Sequence, residues 1–596
     1  MITQQDSDLR AGLVLSTLFL FLCVATWNTY GNLLMDNFHD IWFSQRVLAG
    51  DVPYRDFHYQ YGVLPPYLLA GLLALGGVHF TTFIIIGLVI AVLSALFVYR
   101  ICRLFSGSFA AFVAVLVFFM HSVFARSEPE SMFNFVRPYS LASTSFCLWV
   151  LALLFFLLRF TLEGQKRDYG FIHLFMVLAF LSRPIMFLPI WAMVLCFLFF
   201  ASGRRGQFSF FSLNLSWIAA VLLHCVFLLP TQSMEGFLNN TFFFAYLSKV
   251  NPYSSGLMGL DAWPTHLEQA GLMTLMHLVV LALLIMLIRF SADRTRPWQL
   301  SALGCFVAIV TLSLWLLWQE VDPVTGKWLY QYRAMLATNV CATLFFGFRL
   351  FKGPTLRERA LFGLALFALV SSLRMLLVPI PYVYGFFILV PSFILYVLVL
   401  FELIPGTIFK DSFLPGRRPY ALMLLFCLLG LSFGQIQLYR YFQAQRTFSL
   451  STSLGTILLP EDQKNKILVQ ALAGVRERIG ENETLVAFPE GVYLNSLTGR
   501  ASVWGFPHFF PSDFDLFGED LFIAELEASP PDYIALVHRH TPEYGPSTFG
   551  QNYALRLASW LRSHYRPVEV FGAMPFQSDA FGIMLAERKK PGTGAP

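Results

Sequence analysis

The sequence predicts an α-helical polytopic membrane protein of about thirteen transmembrane helices, followed by a soluble α/β domain. Three observations carry that prediction. Of 596 residues, 57% are apolar and 13% charged, about half the charged share of ordinary soluble domains. Apolar residues also arrive in blocks of about 16–21 separated by short polar links, and a bilayer core takes roughly 20 helical residues. Beyond residue 440 the pattern changes, with charge at soluble density and helix-period segments alternating with short apolar runs.

In chain order the spans fall at 11–29, 81–99, 108–124, 139–159, 171–182, 185–201, 208–230, 270–289, 300–318, 334–350, 360–377, 385–403 and 419–438. The acidic start before the first suits a retained signal anchor. The apolar piece 63–78 opens on Pro65-Pro66 and closes on Gly76-Gly77, so it reads as a short helix at the interface that does not cross. Charge decides this, because short cytoplasmic loops hold the Lys and Arg excess. With 63–78 not crossing, one set of alternate loops and the N-terminal segment hold 18 Lys and Arg and the opposite set 8. The stretch 171–201 is long for one span and short for two; Arg183-Pro184 at its middle divides it into two short crossings meeting at an outside turn. The N-terminus is then cytoplasmic, residues 1–440 form the membrane domain, and 441–596 lie outside the membrane.

That tail reads as a helix near 462–479, a strand at 484–488, a helix near 519–528, a strand at 533–537, a helix near 551–564 and strands near 567–572 and 581–586. No GxGxxG follows the first strand, which leads into Pro489-Glu490-Gly491, so no dinucleotide site is expected. The aromatic loop Trp504–Pro511 either covers an opening in the membrane domain or simply packs against it. A net charge of +5 scattered through loops leaves no electrostatic footprint for nucleic acid. All eight Cys fall inside apolar blocks, where they act as small hydrophobes.

The most informative segment is the first outside loop, 30–80. Residues 38, 41, 42, 47 and 48 are apolar near helical spacing and Gly50 stops the run, which describes an amphipathic helix on the membrane surface. Asp36 sits at its start, with Asp40 four residues on and on the same face. Spacing alone leaves Asp36 either as the helix cap or as a functional carboxylate.

Asp36, the helix after it, Gly50-Asp51-Val52-Pro53-Tyr54-Arg55-Asp56-Phe57 and Leu64-Pro65-Pro66-Tyr67 together resemble the first extracytoplasmic loop of GT-C membrane glycosyltransferases, and Tyr99–Gly107 resembles the basic turn that follows their second span. The likeness is to bacterial enzymes that use polyprenyl-phosphate sugars, such as aminoarabinose transferases and protein O-mannosyltransferases. It implies a multi-pass protein of the bacterial inner membrane that moves a sugar from a polyprenyl-phosphate donor to an envelope lipid, glycan or protein. It also implies that Asp36 is the general base. Many members carry Asp-Glu where this chain has Asp36-Asn37, so only Asp36 is carried over. Some members bind a divalent metal. This loop offers His39 and His58, residues that in an aromatic loop more commonly pack, so no metal ligands are assigned.

A lipid-linked donor asks for positive charge where the phosphate departs. The phosphate-binding candidates among the outward cations are Arg55, Arg126, Arg137, Arg183, Lys249, Lys327 and Arg333, with Asp40 and Asp56 the polar partners in the first loop. Arg183 is the most pointed, because a charge between apolar blocks is costly unless paired or facing water. The mixed Lys327–Arg333 stretch suits phosphate and sugar stacking, and equally an interfacial aromatic belt. Rival classes are a transporter or flippase of lipid-linked glycans, a glycan polymerase, and a scaffold without catalysis. Transporters tend to carry paired repeats, and this sequence shows none.

Overall fold

The computed structural model describes residues 4–31, 37–126, 132–202, 210–228, 242, 247, 249–257, 262–292, 334–376, 385–404 and 440–589. The predicted spans 300–318 and 419–438 lie outside the described residues. Among the described residues, three helices are long and apolar enough to cross a bilayer: α1 (Gln4–Ala25), α4 (Phe80–Arg103) and α6 (Leu141–Glu163). Between α1 and α4 lie α2 (Asn37–Leu48) and α3 (Leu64–Gly76). At 13 residues α3 is short for a crossing. Further helices continue the bundle: α5 (Ser108–Phe118), α7 (Lys166–Ser182), α8 (Pro184–Cys196), α9 (Phe210–Leu228), α10 (Trp263–Ala292), α11 (Ala334–Leu350), α12 (Leu356–Ser372) and α13 (Val390–Leu398).

Local chemistry explains the boundaries. Arg183 leaves helical geometry between α7 and α8, and Pro184 opens α8 at a first-turn position where its missing N–H costs nothing. Helix α6 stops at Gly164 in the left-handed conformation. Helix α12 starts from a capping box, in which the Thr355 hydroxyl accepts from the Glu358 N–H at 3.2 Å and the Glu358 carboxylate accepts from the Thr355 N–H at 2.8 Å.

Helix α6 is buried on nearly every side and packs against α4, α7 and α12, which makes it the axis of the bundle. Helix α1 is peripheral, with Leu9, Leu13, Val14, Leu20, Phe21 and Val24 exposed, as suits a lipid-facing surface. The two ends of the bundle are distinguishable. At one, Asp8 takes hydrogen bonds from Tyr99 (2.5 Å) and Arg103 (3.1 Å), and Arg357 donates to the Phe105 carbonyl at 2.6 Å. The start of α1, the basic turn after α4 and the loop before α12 therefore share an end. At the other, α1 runs into the tail.

The tail opens with a hairpin, β1 (Phe448–Thr452) and β2 (Gly455–Leu459), then α14 (Gln463–Arg478), β3 (Leu485–Phe488), α15 (Val492–Thr498), α16 (Pro511–Phe517), α17 (Glu519–Ala528), β4 (Tyr533–Val537), α18 (Leu555–His564), β5 (Tyr565–Gly572) and β6 (Gly582–Arg588). Apart from the hairpin, α15 and α16, each element falls where the sequence places one. The sheet runs β3-β4-β6-β5, with β3 and β4 parallel and the other pairs antiparallel. Strand alternation feeds two cores. Leu485, Ala487, Ala535, Val537, Ile583 and Leu585 join the core that continues into the membrane bundle. Val486, Phe488, Ile534 and Ala586 face a second core with Trp504, Phe509, Phe522 and Leu557. Both faces are covered, which is why these strands read as short continuous apolar runs.

The tail is stitched to the end of the bundle where α1 finishes. The Leu458 N–H donates to the Asn28 carbonyl at 3.0 Å, Gln443 Nε2 to the Ala25 carbonyl at 3.2 Å, and the Phe80 N–H to the Leu454 carbonyl at 2.8 Å. The 504–511 loop packs on the first loop. The His58 N–H donates to the Gly505 carbonyl at 2.8 Å, and the His58 ring stacks on Phe506. A side chain at Gly505 would come within 2.4 Å of the Asp56 carbonyl, so this approach requires glycine.

Candidate active site

The site is built where α1 leaves the bundle. Thr26 and Thr29 hydroxyls donate to the Leu22 and Thr26 carbonyls, turning the chain out of the helix. The next carbonyls are taken by arginines. Arg126 Nη2 donates to the Thr29 carbonyl at 3.1 Å and to its hydroxyl oxygen at 2.7 Å, with its guanidinium over the Tyr30 ring at 4.4 Å. Arg137 Nη1 donates to the Tyr30 carbonyl at 3.1 Å, and its guanidinium lies 4.6 Å from the Phe80 ring centre. Tyr30 in turn donates its hydroxyl to the Phe124 carbonyl at 2.9 Å. Both arginines are almost wholly buried, at 1% and 2% exposure. Their reach depends on close backbone packing, because a side chain at Gly87 of α4 would lie 2.3 Å from the Phe135 carbonyl.

A second pair meets at the first turn of α6. Asp40 Oδ2 accepts from the Leu141 N–H at 2.6 Å, and Arg183 Nη1 donates to the Ser143 hydroxyl at 2.8 Å. The Arg183 guanidinium sits over Tyr61 at 4.5 Å and near Phe387 at 5.5 Å. Both Asp40 and Arg183 act electrostatically on Tyr59, whose hydroxyl burial holds well above its ordinary acidity range. The helix N-terminus adds donors and positive potential at this point.

Asp36, Lys327 and Arg333 lie outside the described residues. Arg55 and Asp56 form an exposed pair with each other at 2.7 Å, and Asp56 also accepts from the Val52 N–H at 2.8 Å, closing the turn after Gly50. They are not gathered with the buried arginines. Lys249 is exposed. His39 faces Glu490 of the tail at 3.6 Å and His508 at 5.5 Å between ring centres, and His58 packs in the aromatic loop. Among the described residues no group of three or more His, Cys, Asp or Glu is arranged to hold a metal ion, and no step below runs through one.

Two features were not assigned from sequence. Arg446 of the tail donates from Nη1 to the Gly31 carbonyl at 2.9 Å. Nothing local marks it, since it is one cation in a polar connector. Glu490, buried and placed between His39 and Arg539, carries a weak signal, being a carboxylate just past the C-terminal end of a buried strand.

No protein-family model matches the chain, and no curated protein matches it. Solved structures do. The chain is similar to the archaeal oligosaccharyltransferase AglB from Archaeoglobus fulgidus in complex with an inhibitory peptide and a dolichol-phosphate, at 12% identity and a TM-score of 0.49, over 89% of this chain and 69% of that one. It is also similar to ArnT from Cupriavidus metallidurans bound to undecaprenyl phosphate, at 11% identity and a TM-score of 0.41, over 96% and 97% of the two chains. For the apo state of ArnT the TM-score is 0.42 at 11% identity, over 96% and 98%.

Proposed function

We propose that this chain is an integral-membrane glycosyltransferase of GT-C type, which transfers a sugar from a polyprenyl-phosphate donor to an envelope lipid, glycan or protein. In this reading it is a bacterial inner-membrane protein of thirteen spans, with its N-terminus cytoplasmic and its tail outside. The observation that carries the proposal is the burial of Arg126 and Arg137 on the Thr29 and Tyr30 carbonyls, at the bundle end where the tail docks. A lipid-borne phosphate can reach such a place without leaving the bilayer surface, and guanidinium groups are suited to bind it.

The chemistry needs few groups. Asp36 takes the proton of the acceptor hydroxyl as its oxygen bonds to the anomeric carbon. The bond from that carbon to the donor phosphate oxygen breaks, and the electron pair leaves with the polyprenyl phosphate. Arg126 and Arg137 stabilise the charge that develops there, in surroundings where water is scarce and each interaction counts for more. Attack opposite the leaving group inverts the anomeric centre. The energy of transfer resides in the phosphoester, so no nucleotide site is required.

The test is Asp36→Asn in reconstituted full-length protein, supplied with the polyprenyl-phosphate lipid fraction of cells lacking it. Loss of a general base removes roughly 10²–10⁴ in rate, so transfer should fall by at least a hundredfold while the thermal midpoint stays near the parental value. Transfer at the parental rate overturns the assignment of the base. Mass spectrometry of the same cells should show an accumulated lipid-linked sugar and a missing envelope decoration.

A further inference from the structure

We infer that the Tyr59 hydroxyl binds an oxygen of the transferred sugar, which makes the start of α6 the sugar subsite for the lipid-linked donor. This rests on the glycosyltransferase reading given above.

Tyr59 belongs to the first loop, between α2 and α3. It is 1% exposed, and its ring packs edge-on against Phe43 at 4.8 Å and Tyr61 at 5.7 Å between ring centres. A phenylalanine would make the same ring contacts, so packing does not account for the hydroxyl. That hydroxyl has no hydrogen-bond partner among the described residues. Other tyrosines of the membrane domain place theirs. Tyr30 donates to the Phe124 carbonyl at 2.9 Å, Tyr54 to the Tyr61 carbonyl and Tyr99 to the Asp8 carboxylate at 2.5 Å. A buried hydroxyl without a partner has given up water for nothing, a cost that an oxygen of a bound ligand removes.

The surroundings select the kind of oxygen. Asp40 and Arg183, of opposite charge, both act electrostatically on Tyr59. They are themselves engaged, Asp40 with the Leu141 N–H at 2.6 Å and Arg183 with the Ser143 hydroxyl at 2.8 Å, and they matter here through their fields. A phosphate next to the Asp40 carboxylate is repelled, whereas a sugar hydroxyl or ring oxygen has no net charge. Burial holds the phenol well above its ordinary range, so it stays protonated and donates. The place also suits a sugar whose phosphate lies on Arg126 and Arg137. Leu141 is four residues beyond Arg137, at most about 14 Å of chain. The loop that carries Tyr59 is fixed there, because the Gly62 N–H donates to the Ser182 carbonyl at 3.1 Å, an approach that leaves no room for a side chain at residue 62.

The experiment uses the full chain in nanodiscs, the polyprenyl-phosphate lipid fraction of cells lacking the protein as donor, and undecaprenyl phosphate as the sugar-free probe. One neutral hydrogen bond is worth about fivefold in binding. Tyr59→Phe should therefore need about fivefold more of the lipid fraction to displace labelled undecaprenyl phosphate, and transfer at limiting donor should fall by the same factor. Undecaprenyl phosphate itself should bind within twofold of the parent. The thermal midpoint without lipid should stay at or above the parental value, since the substitution deletes a hydroxyl that the fold does not use. A midpoint lower by several degrees would overturn the inference, because the hydroxyl would then serve the fold. Donor binding and transfer equal to the parent's would overturn it as well. Undecaprenyl phosphate weakened as much as the donor would move the contact from sugar to phosphate, and slower transfer with unchanged donor binding would move it to the acceptor; either result rejects the sugar subsite. The glycosyltransferase reading fails on a different result, a parent protein that transfers nothing from the lipid fraction, and this inference falls with it. A parent that transfers and a Tyr59→Phe variant that matches it remove the sugar contact alone.

Discussion

At the scale of single residues, the structure separates side chains that look alike in sequence. Asp40 and Asp56 are both carboxylates of the first loop, and both are plausible partners for a polar substrate. Asp56 spends its oxygens on Arg55 and the Val52 N–H in an exposed turn, where an ion pair contributes little. Asp40 is buried and accepts from the first N–H of α6, a helix about a hundred residues away. It thereby caps that helix from outside, with its charge at the positive end of the dipole. Replacing such a cap costs about 1–2 kcal/mol. Asp40→Ala should lower the thermal midpoint in detergent by several degrees, and Asp40→Asn, which keeps an acceptor, by less. An unchanged midpoint in Asp40→Ala would remove the capping role.

At the scale of elements, α2 bridges the bundle and the tail. Phe38, Ile41, Trp42 and Phe43 are buried along it, and it packs on α3 below and α15 of the tail above. His39 is a titratable contact between α2 and the tail, facing Glu490 and His508. Full burial, and the neighbouring His508, push its imidazole well below its ordinary value. The Glu490 carboxylate at 3.6 Å works the other way, but desolvation of a buried cation outweighs it. The sign then follows. Above about pH 6.5 the imidazole is neutral in folded and unfolded chains alike, and the interface is at full strength. Below that value the unfolded chain binds a proton that the docked one excludes, so stability falls as the pH drops. Thermal midpoints taken between pH 7.5 and 5 should decline more steeply in the parent than in His39→Gln. Parallel slopes would mean that His39 does not control the interface.

At the scale of the whole molecule, the basic loops and the tail occupy opposite ends of α1. Asp8, Arg103, the Phe105 carbonyl and Arg357 meet at one end, and the 443–458 segment grips residues 25–31 at the other. In the orientation proposed above, the positive-inside bias puts the first end in the cytoplasm. A reporter fused after residue 445 should therefore read outside and one inserted within 352–358 inside, measured by paired alkaline phosphatase and fluorescent-protein fusions. The reverse pattern would overturn the proposed orientation and the span count with it.

What the sequence determined is what short-range physics controls. Hydropathy placed α1, α4 and α6, because a bilayer selects apolar length and that is counted along the chain. Period and turn residues placed the tail strands at 485–488 and 533–537, and Arg183-Pro184 marked the break between α7 and α8, since a proline restricts its neighbours whatever surrounds them. Which side chains meet was decided only by the folded molecule. Arg126 and Arg137 reach their carbonyls across 97 and 107 residues, and Arg446 across 415. No local pattern encodes such contacts: each guanidinium is fixed by the packing of α1, α4, α6 and the tail hairpin around it, so the cluster exists only once those elements have docked.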